Sequence, residues 1–113
     1  MNGGCVLTNE ETQEKLPMGS VRLKPKFSIL DPTYTFTLPK NQTAAGIADI
    51  TSHVFEQYFS YPDAALQDHM SEAVLKTVIE NAPVVLEEPE NYDARANIMW
   101  AGTVALNGLL ELG

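Results

Sequence analysis

Cysteine is almost missing from this chain: Cys5 is the one thiol among 113 residues. Without a second cysteine there is no internal disulfide, zinc ribbon or redox pair, so Cys5 is expected to be a small buried residue on a strand. Positive charge is scarce too. Seven Lys and Arg stand against fifteen Asp and Glu, a formal net charge of −8. A surface so negative repels phosphate backbones and anionic lipid heads, which argues against nucleic acid and membrane surfaces as partners. Long apolar runs are missing as well. The longest uncharged stretch, residues 96–110 between Arg95 and Glu111, is fifteen residues, short of the ~20 that span a bilayer. The opening Met1-Asn2-Gly3-Gly4 has neither the basic start nor the apolar run of a secretory signal. A reducing, cytoplasmic setting is the expectation.

What is present is a globular balance, 44% apolar and 19% charged, in a chain long enough for one modest core. Its halves differ in texture. The first forty residues are rich in Gly, Pro, Thr and Ser, with β-type runs at Cys5-Val6-Leu7-Thr8 and Lys26-Phe27-Ser28-Ile29-Leu30 and a turn at Asn9-Glu10-Glu11-Thr12. About three short strands cannot bury two faces, so they look like part of a larger sheet. After Pro39 the apolar period changes from two to about 3.6. Ala44, Ile47, Ala48, Val54, Phe55, Tyr58 and Phe59 mark a helix from about Asn41 to Ser60. Pro62 and Asp63 suit the start of a second helix, striped by Leu66, Met70, Ala73, Val74, Val78 and Ile79, which Pro83 should end or kink. Asn91 suits the N-cap of a third helix reaching about Leu110. Residues 98–106 are apolar nearly all round, with Ala101, Gly102 and Ala105 permitting close approach, so that helix belongs inside a bundle. The expected architecture is mixed but mainly α: a short β-rich lead-in, then three helices.

Asp49 and His53 lie four apart on the first helix, which puts them on one face with Cβ atoms ~5–6 Å apart. A carboxylate oxygen beside a neutral imidazole suits Fe2+ or Zn2+ better than Ca2+ or Cu+. Glu56, one turn on, could orient a ligand or its bound water from behind. The spacing alone is unspecific. Fifteen acids among 113 residues make such pairs common, and His69 with Glu72 shows one without further support. Two ligands are also too few, since a mononuclear catalytic site takes three or more from the protein. Other chemistries find less. No glycine-rich loop follows a strand with pyrophosphate-cradling spacing. Ser20, Ser28, Ser52, Ser60 and Ser71 have no nucleophile-elbow context, and Glu87, Glu88 and Glu90 around Pro89 read as a solvated loop.

The run from Gly46 to Tyr58, G-x-x-D-x-x-x-H-x-x-E-x-Y, resembles the first metal-binding helix of the iron-containing (group III) alcohol dehydrogenases. The likeness is strongest to their NAD(P)H-dependent butanol dehydrogenase and aldehyde reductase branch. Further segments resemble the same family in order: Met1-Asn2-Gly3-Gly4, Lys26 to Pro32, Thr35-Phe36-Thr37-Leu38-Pro39, and Pro89 to Ala101. In that family Asp49 and His53 would be the first two of four metal ligands. Asn2, Lys15, Tyr34 and Thr37 would lie toward the nicotinamide end of NADH or NADPH. The resemblance implies that residues 1–39 close a dinucleotide-binding domain and that 40–113 begin an all-helical metal domain. It also implies an alcohol or aldehyde substrate, with hydride passing to or from the nicotinamide. The family's phosphate-binding glycines would lie upstream of Met1 and its two remaining ligands, both histidines, downstream of Gly113. The chain is therefore expected to be a fragment, inactive by itself and retaining little metal or cofactor. Two other readings stay open. One is a non-catalytic helical interaction module, self-associating through exposed apolar helix surface. The other is a metal-dependent lyase of the dehydroquinate-synthase kind, disfavoured by the Asn91 to Ala101 match.

Overall fold

The polypeptide first reverses at Asn9. The Asn9 Oδ1 accepts hydrogen bonds from the Glu11 and Thr12 amides at 3.0 and 3.4 Å, and Gln13 takes a left-handed φ of 57°. The turn joins strand β1 (Gly4–Asn9) to β2 (Glu14–Gly19), antiparallel, with Gly4 opposite Gly19 and Asn9 opposite Glu14. In this computed structural model residues 2–60 and 62–111 are described. Met1, Tyr61, Leu112 and Gly113, which fall within the expected segments 1–39 and 40–113, lie outside them.

The turn matches the sequence reading, but three details of the β region do not. Lys26–Leu30 is not a strand, and Phe27 and Ile29 are 81% and 85% exposed. A β-type run needs a neighbouring strand to pair with, and among the described residues the one sheet pairs β1 with β2 alone. The second strand is instead Glu14–Gly19, whose charges and Pro17 hide it from a propensity reading. Proline is tolerated there because every strand of a lone hairpin is an edge. Cys5 is exposed rather than buried, because among the described residues nothing buries either strand of the hairpin. Two 3-10 turns follow, Val21–Leu23, capped by the Ser20 hydroxyl, and Pro32–Thr35, capped by the Asp31 carboxylate.

Helix α1 (Lys40–Tyr58) starts directly after Pro39, the Thr43 amide donating to the Pro39 carbonyl at 2.9 Å. Thr43, Ile47, Ile50 and Val54 recur at helical spacing and turn inward. Ala44, Ala48, Phe55 and Phe59, expected on the buried face, form a second, exposed stripe. Phe55 and Phe59 stack there with ring centroids 5.7 Å apart.

Helix α2 (Ala65–Glu87) begins three residues later than Pro62 suggests. Asp63 has φ 69°, a left-handed conformation that cannot continue into an α-helix, so Asp68 takes the first-turn acidic position. Pro83 does not end α2, which continues to Glu87. The lost backbone bond costs about 3 kcal/mol in an isolated helix, and burial of Val78 and Val85 on either side offsets it.

Helix α3 (Tyr92–Ala105) is capped as expected, the Asn91 Oδ1 accepting from the Ala94 amide at 3.0 Å. It stops at Ala105, short of Leu110. Gly108 at φ 92° turns the chain so that Leu110 folds back and is 1% exposed. Val54, Val74, Val78, Ala101, Ala105 and Leu110 form one core at the junction of the three helices. A Cβ at Gly102 would sit 3.1 Å from Ile50 Cδ1, so the glycine lets α3 approach α1. The bundle does not enclose α3 as expected: Trp100 is 61% exposed. Among the described residues no helix is long and apolar enough to cross a membrane.

Candidate metal centre

Asp49 and His53 project from neighbouring turns of α1 on the flank opposite the Phe55–Phe59 stripe. Asp49 Oδ2 lies 3.5 Å from His53 Nε2, while Glu56 Oε2 lies 3.2 Å from His53 Nδ1. The imidazole is thus held between two carboxylates, one at each ring nitrogen. A carboxylate oxygen accepts, so the tautomer that bonds Glu56 is the one protonated at Nδ1. In neutral imidazole that leaves the Nε2 lone pair facing Asp49 Oδ2, two electron-rich atoms pointed at each other. A cation between those two atoms would be faced by both.

The distance is compatible with a shared metal ion. Bonds of about 2.1 Å to one ion at a near-tetrahedral angle set two donor atoms ~3.4 Å apart, against 3.5 Å here. That separation is longer than a well-formed N–H···O bond. A carboxylate on the far ring nitrogen is also the usual support for a metal-binding histidine. The pair is a candidate for two ligands of one ion, on an open face where Asp49 is 73% and His53 31% exposed. Among the described residues no cluster of three or more ligating side chains forms. His69 stands exposed on α2.

Two contacts fix this stretch of α1, and sequence reasoning missed both. Gln57, one turn after His53, donates from Nε2 to the Ala105 carbonyl at the end of α3, 2.6 Å, and to the His53 carbonyl, 2.9 Å. Its Oε1 is buried without a hydrogen-bond partner. Toward the other end of α1, Arg95 is 4% exposed. It donates from Nε to the Pro89 carbonyl at 2.7 Å and from Nη1 to the Thr43 hydroxyl at 3.0 Å. Burial lowers the Arg95 pKa without discharging it. One cue was available: Arg95 is the last basic residue before a fifteen-residue uncharged run, 96–110. Tyr58, the last motif residue, donates its hydroxyl to Glu72 Oε1 at 3.1 Å. That bond, then the Glu72 charge, raises the phenol pKa.

The four residues expected near a nicotinamide are spread over the N-terminal region. Asn2 lines a hollow of about 530 Å3 with Leu23, Met99, Thr103 and Leu106, and its Nδ2 reaches the Leu106 carbonyl at 3.5 Å. Lys15 lies on β2 opposite Thr8. Tyr34, 86% exposed, sits in the second 3-10 turn, and Thr37 is exposed just after it.

Comparison with known proteins places these features in a family. A model of the Fe-containing alcohol dehydrogenase family, C-terminal part, matches residues 43–112. NADH-dependent butanol dehydrogenase A of Clostridium acetobutylicum is 57% identical over 110 residues, 96% of this chain and 28% of that protein. The NADPH-dependent aldehyde reductase YqhD of Escherichia coli is 49% identical over 99% of this chain and 29% of its own length. Its cofactor-free structure superposes with a TM-score of 0.92 over 98% of this chain and 30% of that one, at 47% identity. The structure of NADH-dependent butanol dehydrogenase A of Thermotoga maritima gives 0.91 at 43% identity over 97% of this chain and 28% of that one. The chain thus spans under a third of the length of these relatives. It belongs to the Fe-containing alcohol dehydrogenase family, in the branch of the butanol dehydrogenases and aldehyde reductases.

Proposed function

We propose that this chain carries half the metal site of an NAD(P)H-dependent oxidoreductase acting on primary alcohols or aldehydes, and that alone it is catalytically silent. The observation that carries the reading is the 3.5 Å facing of Asp49 Oδ2 and His53 Nε2 with Glu56 behind the ring. Asp49 and His53 offer one anionic and one neutral donor to a shared Fe2+ or Zn2+. Glu56 holds the Nδ1–H tautomer so that Nε2 remains a donor. The Gln57 and Arg95 contacts keep α1 against α3, so the two ligand groups stay in register without having to be ordered on binding. A divalent ion in such a site acts as a Lewis acid on the alcohol or aldehyde oxygen during hydride transfer.

In the same reading residues 1–39 are the end of a dinucleotide-binding domain and 40–113 the start of the metal domain. The start of α1 directly after Pro39 and the family match from residue 43 support this division. Asn2, Lys15, Tyr34 and Thr37 are assigned to the nicotinamide side, and the missing ligands to two histidines beyond the chain. A reducing, cytoplasmic setting suits the exposed free thiol of Cys5.

The test uses the purified 113-residue chain. Zn2+ titrated against it should shift the imidazole NMR signals of His53 ahead of those of His69, weakly and with loss in Asp49→Asn. Butanol and butyraldehyde should give no turnover with NADH or NADPH. Turnover would overturn the half-site reading, and equal response of the two histidines would overturn the metal assignment. Exposure of Ile79 at 71% and Trp100 at 61% on α2 and α3 favours a second role, self-association through apolar helix surface. A strictly monomeric sedimentation profile would exclude it.

A further inference from the structure

Arg95 brings a full positive charge into the seam between α1 and α3, and no carboxylate pairs with it among the described residues. A buried charge left without a counter-charge is costly, and proteins ordinarily supply one. A guanidinium has five N–H donors. Nε and one Nη1 hydrogen are committed to the Pro89 carbonyl and the Thr43 hydroxyl. The Nη1–Nη2 edge, which meets a carboxylate end-on through two parallel bonds, still has donors to give.

Arg95 and Thr43 also line a cavity of about 190 Å3 between the helices, walled by Leu38, Ile47, Ile50 and Ile98. At ~30 Å3 per water the space equals about six waters, or as many heavy atoms of a small ligand. The walls are mainly apolar, with Thr35, Gln42 and Thr43 as the neutral polar side chains, and the one charge is cationic. That is the pattern of a site for a short alkyl chain ending in an anion, with the polar end fixing orientation and the apolar walls the length.

We propose that this cavity is a carboxylate site, holding a free short-chain aliphatic monocarboxylate with its oxygens on Arg95 and its alkyl chain between Ile47, Ile50 and Ile98. Neither Asp49 nor His53 lines the cavity, and the proposal does not depend on the metal assignment.

The probe is butyrate, titrated into the metal-free 113-residue chain and followed by NMR of the Arg95 side chain and the isoleucine methyl groups. Saturable shifts confined to those signals are expected, with 1-butanol, equal in length but uncharged, producing none. Arg95→Lys keeps the charge but not the fork, and should weaken binding by about tenfold or more. Because that change also disturbs the Thr43 and Pro89 contacts, Gly46→Leu is the second variant. Gly46 lines the cavity, and a Cβ there meets nothing within 4 Å, so the larger side chain fills the space while Arg95 is untouched. It should abolish the shifts. The same carboxylate chemistry could come from an Asp or Glu side chain of another polypeptide segment. N-acetylglutamate methylamide tests that source. Saturation by this compound and not by butyrate would overturn the proposal, as would equal binding of butanol or undiminished butyrate binding in Gly46→Leu.

Discussion

The N-terminal region, residues 2–39, and the helical region, residues 40–111, obey different rules of cohesion. In the first, order is local: Asn9, Ser20 and Asp31 each satisfy backbone amides a few residues away, while Val6, Leu7, Leu16 and Met18 remain about half exposed. In the second, order is tertiary: Val54, Val78 and Ala105 are almost completely buried across three helices. A lone two-stranded hairpin is marginal in water, whereas the helices share a core. The helical region is therefore the cooperative unit, and it carries the candidate metal pair. The largest expected effect follows. Val54→Asp places a charge at a fully buried position with no partner and should cost about 4 kcal/mol or more. Helical circular dichroism would then be lost at room temperature. Val6→Asp on the hairpin should change stability by no more than about 0.5 kcal/mol. Equal losses would mean that the two regions fold as one.

The contrast also accounts for what the sequence made legible. Helices declare themselves through period and caps, and α1, α2 and α3 were all readable, Asn91 down to its capping bond. The errors at their ends arose from single backbone conformations, Asp63 and Gly108, which no periodicity encodes. The β region was misread because a strand is a relation between segments. Lys26–Leu30 has strand composition but is not part of the described sheet, and Glu14–Gly19 is part of it without the composition. The same distinction holds at the site. Asp49 and His53 are local in sequence and were visible, though their spacing alone was unspecific until the surrounding motif supplied context. Gln57 and Arg95 act across 48 and 52 residues, and their roles exist only once α1 and α3 meet.

Those long-range polar contacts sharpen the comparison at the next level of effect. Thr43→Val keeps the volume at a position 4% exposed but removes the acceptor of the Arg95 Nη1 bond, leaving a buried charged donor unpaired. The expected loss is about 1–3 kcal/mol by denaturant titration. Thr12→Val on the hairpin, whose hydroxyl bonds Glu14 in the open at 2.9 Å, should cost a few tenths at most, since water replaces the lost partner. A loss at Thr43 no larger than that at Thr12 would refute the assigned clamp.

Gly108→Ala isolates a backbone effect. An added Cβ would meet only Glu111 Oε2, at 3.8 Å, so space is not the obstacle. The obstacle is the φ of 92°, which L side chains rarely adopt, and the strain should cost about 1 kcal/mol or more. Amide exchange should quicken first around Leu110, because this turn folds that side chain into the core.

The smallest effect belongs to the junction between the regions and is set by pH. Asp31 Oδ1 accepts from the Thr33 hydroxyl at 2.7 Å and from the Thr33 amide at 3.0 Å, and both bonds hold its carboxyl pKa below the ordinary value. A carboxyl whose pKa is depressed by folding contributes stability that is present above its unfolded pKa and disappears as pH falls through the folded one. Acidification should therefore loosen the Pro32–Thr35 turn by protonating Asp31, seen as faster Thr33 amide exchange, while α2 and α3 are still protected. Asp31→Asn keeps an acceptor oxygen without the charge, so its Thr33 exchange should lose that acid-induced rise after correction for the intrinsic pH dependence. If wild type and variant respond alike, the cap is not what ties the exposed N-terminal region to the start of α1.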